Sequence, residues 1–237
     1  MKRLNKKISL ITNLCLVSLF IVVFTVCFIP QPSKPIYGGK ELSAIYNGNR
    51  QNKKVSLMFN VYENTPVVNG ILDLLKQKGV KATFFVGGCW ADDNGETLLR
   101  IVNEEHELAN HGYFHKDHKK LGERENEEEI KLTGAIVKAL SGVQTNLFAP
   151  PSGSFSVTTL EVASRLGYKV IMWSKDTIDW RDSNQDLLFN RATKNPENGD
   201  FILMHPKQHT LEVLPRIIDY YKLMGFNIVT VSNSLAE

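Results

Sequence analysis

The sequence predicts an α/β fold of repeated βα units preceded by one N-terminal transmembrane helix, and three observations lead there. Short strand-like runs alternate with amphipathic segments from Val55 to the end of the chain. Each such run, among them VSLMF, KATFFV and FILMH, is apolar throughout, as parallel strands covered by helices on both faces must be. Residues 8–29 are uncharged and apolar, and they follow Lys2, Arg3, Lys6 and Lys7.

The apolar run is long enough to cross a hydrocarbon core of roughly 30 Å as a helix. Its basic flank predicts a cytoplasmic N-terminus and a single pass, with the C-terminal domain outside the cell. No small-x-small cleavage site precedes Pro30, which favours an anchor over a cleaved signal sequence. Removing the four basic residues takes the formal charge from +3 to −1, so no basic patch for nucleic acid is implied. Residues 1–30 are thus expected to be a membrane anchor or signal sequence. Residues 31–53, with Pro32, Pro35, Gly38 and Gly39, read as a linker. Residues 54–237 read as one domain, expected to be a monomer. Its lone cysteine, Cys89, reads as a small buried hydrophobe, and the fold must rely on its core without a disulfide.

In the domain, VSLMF precedes a helix over about 65–78 and KATFFV a helix over about 95–105. ELANH precedes a long helix that begins in the acidic stretch Glu123–Glu129, where unpaired N–H groups favour carboxylates. NLFAPP, YKVIMWS and FILMH are followed by helices over about 157–166, 184–194 and 210–224, and FNIVTV closes the chain. Such units close into a barrel or wind into an open sheet.

In α/β barrels the reacting groups stand just after the strands. Those positions hold Asn60, His111, Pro150, Pro151, Asp176 and His205. His111 and His115, in NHGYFH, are spaced to face one cation. His106 and His118 flank the pair as expected surface residues, and His209 reads as peripheral. His205 ends an apolar run, and a carboxylate such as Asp176 can orient its imidazole as a proton donor. Trp180, in DTIDW, offers an aromatic face to a sugar.

Taken in order, these segments resemble the NodB homology domain of the polysaccharide deacetylase family of carbohydrate esterases, over roughly residues 53–235. NHGYFH is similar to that family's paired-histidine motif, APPSGSFS to its R-P-P-Y-G-S-like motif, DTIDW to its D-x-x-D-W motif and ILMH to its L-x-H motif. The resemblance implies a distorted (β/α) barrel and metal-dependent removal of acetyl groups from peptidoglycan or a chitin-like polymer. It implies that His111 and His115 bind a divalent metal, often zinc, and that His205 is the general acid tuned by Asp176. It further implies that the backbone near Ser152 holds an oxyanion and that Trp180 and Leu203 line an acetyl pocket. The first motif departs: where the family has T-F-D-D-G, this chain reads MFNVY, so Asn60 stands for the base and Val61 for a metal ligand. Ala149 replaces the arginine that pairs with the base. An amide cannot take a proton at neutral pH, which leaves Asn60 to orient a water or offer its oxygen to the metal. Glu63 is the nearest carboxylate. Two functions follow as expectations: a deacetylase of reduced activity, or a glycan-binding domain at the cell surface.

Overall fold

The computed structural model describes residues 12–24, 36–37 and 40–236, and the chain divides into two compact units, Met1–Pro35 and Ile36–Glu237. In the first unit, residues 12–24 form helix α1. Among the described residues no helix is long and apolar enough to cross a membrane. This corrects the predicted transmembrane helix and the single-pass membrane placement drawn from it. The remainder of the 8–29 run lies outside the described residues.

The second unit opens with the antiparallel pair β1 (Ile36–Tyr37) and β2 (Lys40–Glu41). β3 (Lys54–Val61), α2 (Thr65–Lys78), β4 (Thr83–Val86), α3 (Gly88–Asp93), α4 (Gly95–Asn103), β5 (Glu107–Asn110) and α5 (Glu123–Ser141) follow. Then come β6 (Leu147–Phe148), α6 (Val157–Arg165), β7 (Lys169–Val170), β8 (Lys175–Asp176), α7 (Gln185–Thr193), β9 (Asp200–Met204), α8 (Gln208–Leu223), β10 (Asn227–Ile228) and α9 (Val231–Leu235). The strands β3–β10 make one parallel sheet in the order β7-β6-β5-β4-β3-β9-β8, with β10 beside the start of β3. The sheet curls into an incomplete barrel, and residues just before β3 span its gap. Ile45 bridges Ile171 beyond β7, while Asn47 bridges Asp200 at the start of β9.

Alternation along β3 explains both cores. Val55, Leu57, Phe59 and Val61 face the helix layer, where they pack with Ile71, Leu72, Leu75, Ile217 and Tyr221. On the other face Met58 joins Phe85, Ala109, Ile171 and Phe201 inside the barrel. Each fully buried side chain of this kind stabilises the fold by about 1.5–3 kcal/mol. The strand starts at Lys54, and from the fully buried Val55 onward its helix-facing side carries no polar side chain, as its central position in the sheet requires. α2 begins with a Pro in its first turn and ends where Gly79 takes the left-handed conformation at φ 62°. Because every strand of this sheet runs the same way, Asn60, His111, Pro150, Asp176 and His205 arrive at one mouth of the barrel.

Candidate functional site

At the end of β5, His111 is 1% exposed, and its Nδ1 lies 2.7 Å from the Ala149 carbonyl oxygen. A carbonyl only accepts, so Nδ1 carries the proton and Nε2 keeps its lone pair. Burial first, then the neighbouring His115, holds the His111 pKa well below the ordinary imidazole value. His115, half-buried and in the left-handed region at φ 55°, brings its ring centroid to 5.2 Å from that of His111. The Tyr62 ring covers His115 at 4.2 Å.

Across the mouth, His205 follows β9. Its Nδ1 donates to Asp179 Oδ1 at 2.7 Å, and its backbone N–H donates to Oδ2 at 2.7 Å. The Thr210 hydroxyl donates to the same Oδ2 at 2.7 Å. Burial alone would raise the Asp179 pKa, but the hydrogen bonds from His205 and Thr210 outweigh it and hold the carboxyl below its usual range. Asp179, not Asp176, is therefore the carboxylate bonded to His205. Ile178, left-handed at φ 56°, turns the chain between the two acids, and Asp176 instead accepts the Ile178 N–H at 2.7 Å. Burial is the main cause that raises the Asp176 pKa.

Asn60, Tyr62, His115, Ser152 and Asp176 line a cleft of about 310 Å³. Trp173, Trp180, Leu203 and His205 complete its wall. Seven of the eight residues to which the resemblance assigns a role thus share one cavity, and the eighth, His111, is buried beside His115. Ser152 sits at φ 55°, and Trp180 is 55% exposed at the rim. Asp179, Thr210, Tyr62 and Trp173 are additions that sequence reasoning missed. The DTIDW segment carried the sign for Asp179, since it holds two carboxylates and only the left-handed turn at Ile178 decides which one reaches the imidazole.

Other placements differ from expectation. Val61 does not face the cleft: it is fully buried in the helix-side cluster, because it falls on the outward phase of β3. Glu63 is exposed and paired with Lys207. His106 and His118, expected at the surface, are 6% and 0% exposed. His106 accepts the Ala82 N–H at 3.2 Å, and His118 Nδ1 bonds Asn126 Oδ1 at 2.7 Å. His209, expected to be peripheral, bonds the Asp179 carbonyl through Nε2 at 2.9 Å. Cys89, expected to be buried, is exposed in α3, where Trp90 and Ala91 take the inward positions.

Do these groups suit a cation? His111 Nε2 and Asn60 Oδ1 are both buried without a protein partner, and His115 stands beside the former. Two imidazoles and an amide oxygen suit a borderline divalent ion such as zinc. Among the described residues, no cluster of three or more His, Cys, Asp and Glu is arranged to hold a metal. The fit is thus to an open site with two imidazole ligands and no carboxylate.

Residues 47–171 match the family described as polysaccharide deacetylase. The chain is 31% identical over 219 residues to the peptidoglycan-N-acetylmuramic acid deacetylase PdaA of Bacillus subtilis, covering 86% of this chain and 82% of that protein. An uncharacterized Bacillus subtilis protein is 34% identical over 193 residues, a match covering 81% of this chain and 60% of that protein's length. Among solved structures, a pseudoenzyme of carbohydrate esterase family 4 from Bacillus anthracis superposes with a TM-score of 0.81 at 33% identity, covering 84% of this chain and 71% of that one. A mutant of that pseudoenzyme is described as having restored enzymatic activity.

Proposed function

Because the chain belongs to the polysaccharide deacetylase family, we propose that its cleft binds an N-acetylated cell-wall or chitin-like glycan and removes acetyl groups slowly, with the acid half of the chemistry intact and the base half replaced. The observation that carries this reading is the chain Thr210–Asp179–His205 opening on the cleft. A binding surface has no use for an imidazole held in one tautomer and orientation by a buried carboxylate.

His205 delivers a proton to the leaving amine, and Asp179 stabilises the imidazolium that makes this possible. Trp180, Trp173 and Leu203 enclose the acetyl group and the sugar face. Backbone near Ser152, held in its left-handed turn, faces the developing oxyanion. Asn60 presents a neutral amide where a base would stand, so it orients water but accepts no proton from it. His111 and His115, with Asn60 Oδ1, would hold a divalent metal. When bound, such an ion supplies Lewis acidity and a water of lowered pKa.

Acetate release from N-acetylated chito-oligomers and from peptidoglycan tests the proposal. Slow release by the wild type that His205→Asn abolishes supports it. No release from any of these glycans overturns it. A second reading, glycan binding without turnover, is favoured by one specific pair: Asn60 carries no charge, and the position that would pair with a base carboxylate is the fully buried Ala149. Calorimetric binding of the same oligomers without acetate release selects that reading.

A further inference from the structure

The segment that separates His111 from His115 has an unusual mooring. Asn110, fully buried at the end of β5, accepts the Gly112 N–H through Oδ1 at 2.9 Å and donates through Nδ2 to the Ile130 carbonyl of α5 at 2.8 Å. Glu129, the residue before Ile130, is 2% exposed. Its Oε2 accepts the Tyr113 and Phe114 N–H groups, each at 2.8 Å, and its Oε1 lies 3.2 Å from Lys116 Nζ. All three amides between Gly112 and Phe114 are therefore tied to side chains, one to Asn110 of β5 and two to Glu129 of α5. Space there is tight: a Cβ on Gly112, which has φ +71°, would meet His118 Nε2 at 3.0 Å and Glu129 Oε2 at 3.4 Å.

A buried carboxylate costs several kcal/mol unless compensated. Two backbone N–H groups and an ammonium compensate this one. The turn that results puts His115 in the left-handed region, a conformation that costs a non-glycine residue about 1 kcal/mol or more and persists only where its surroundings impose it. The same turn sets the 5.2 Å spacing of the two imidazoles. We propose that Glu129 is the positioning residue of the histidine pair: by holding the Tyr113 and Phe114 amides it fixes His115 against His111 in the geometry that receives a cation. Glu129 bonds the loop and Lys116 rather than either imidazole; its charge also reaches His115 through space, and Glu129→Gln removes that charge while leaving the loop tied. The consequence for cation binding rests on the metal reading given above, whereas the consequence for loop geometry does not.

The test uses the full chain with Glu129→Ala and Glu129→Asp, the second keeping the charge but withdrawing it by one methylene, and Glu129→Gln, which keeps an oxygen in place. Three readouts are taken: amide hydrogen exchange at Tyr113 and Phe114, imidazole ¹⁵N shifts of His111 and His115 in metal-free protein, and Co²⁺ affinity by chelator competition. In Glu129→Ala, protection at both amides falls at least about tenfold and the His115 shifts move, while Co²⁺ affinity drops about 10- to 100-fold, the usual effect of losing an outer partner of a metal ligand. Glu129→Gln stays within about threefold of wild type, as rescue by a conservative variant requires. If Glu129→Ala fails to fold, Glu129→Asp decides by the same readouts. Unchanged protection and unchanged His115 shifts in a folded Ala or Asp variant overturn the proposal. Absence of Co²⁺ binding by the wild type itself counts against the metal reading alone, because the exchange and shift measurements still decide the role of Glu129.

Discussion

His205 and Asp179 are joined twice: Asp179 Oδ1 takes the imidazole Nδ1–H and Oδ2 takes the His205 backbone N–H, each at 2.7 Å. The double contact fixes both the position of the residue and the tilt of its ring. It also leaves Nε2 as the nitrogen free to face a substrate.

Asp179→Asn therefore affects stability and turnover together. Hydrogen bonds to a charged group contribute about 1.5–3 kcal/mol each, so the variant unfolds at lower urea concentration near neutral pH. The pH dependence has a definite sign. Asp179 has a folded pKa below its unfolded value, so its contribution is present above the unfolded carboxylate pKa of about 3.9 and is lost as pH falls through the folded value. The gap between wild type and variant closes in acid. A gap that is constant from pH 7 to pH 2.5 in urea titrations contradicts this assignment. Acetate release, where measurable, falls by about 10².

Restoring a base requires two changes and excludes a third. Asn60→Asp with Ala149→Arg is expected to raise acetate release at least about tenfold, or about 1.4 kcal/mol of barrier. Asn60→Asp alone gains less, since its carboxylate lacks the guanidinium. Adding Val61→Asp is harmful. Val61 is fully buried among helix-facing apolar side chains, and an unpaired charge there costs about 3–5 kcal/mol. A folded double variant that releases no acetate sinks the slow-enzyme reading, and a Val61→Asp variant as stable as wild type sinks the account of β3.

Trp180 stands at the cleft rim, 55% exposed, with the Arg181 guanidinium 5.7 Å from its ring. Trp180→Ala should weaken chito-oligomer binding by about 0.5–1.5 kcal/mol, the range for one aromatic stacking contact. Its melting temperature should stay within about 2 °C of wild type, because exposed side chains contribute little to stability. Equal affinity by calorimetry removes Trp180 from the glycan surface.

His106 supplies an acid-sensitive element away from the cleft. Burial, with Lys81 adding to it, lowers its pKa to about 4. The unfolded imidazole titrates near 6.5, so between pH 6.5 and 4 the unfolded chain binds a proton that the fold refuses, and stability falls as pH drops. His106→Asn keeps an acceptor for the Ala82 N–H at that position. Between pH 7 and 4.5 the wild type should lose about 2 kcal/mol more than this variant in urea unfolding. Parallel pH profiles would show that His106 does not titrate in this way.

The sequence by itself determined the alternation of parallel strands and helices, because a strand buried on both faces must be apolar along its length. VSLMF and FILMH could be placed beside helices for that reason alone. It also determined which strand ends carry polar groups, so His111, Asp176 and His205 were legible as neighbours before any coordinates. Tertiary structure decided the rest. Whether Val61 faced the cleft or the helices depended on the phase of β3 against its neighbours, and a period of two makes adjacent residues opposite in fate. Whether Asp176 or Asp179 held His205 depended on one left-handed residue, Ile178, whose side chain gives no hint of a positive φ. The burial of His106 and His118 came from α4, α5 and the neighbouring strands closing over them, contacts between residues far apart in the chain. Residues 8–29 show the same limit in the other direction: composition measured their apolarity, but among the described residues no helix is long and apolar enough to cross a membrane.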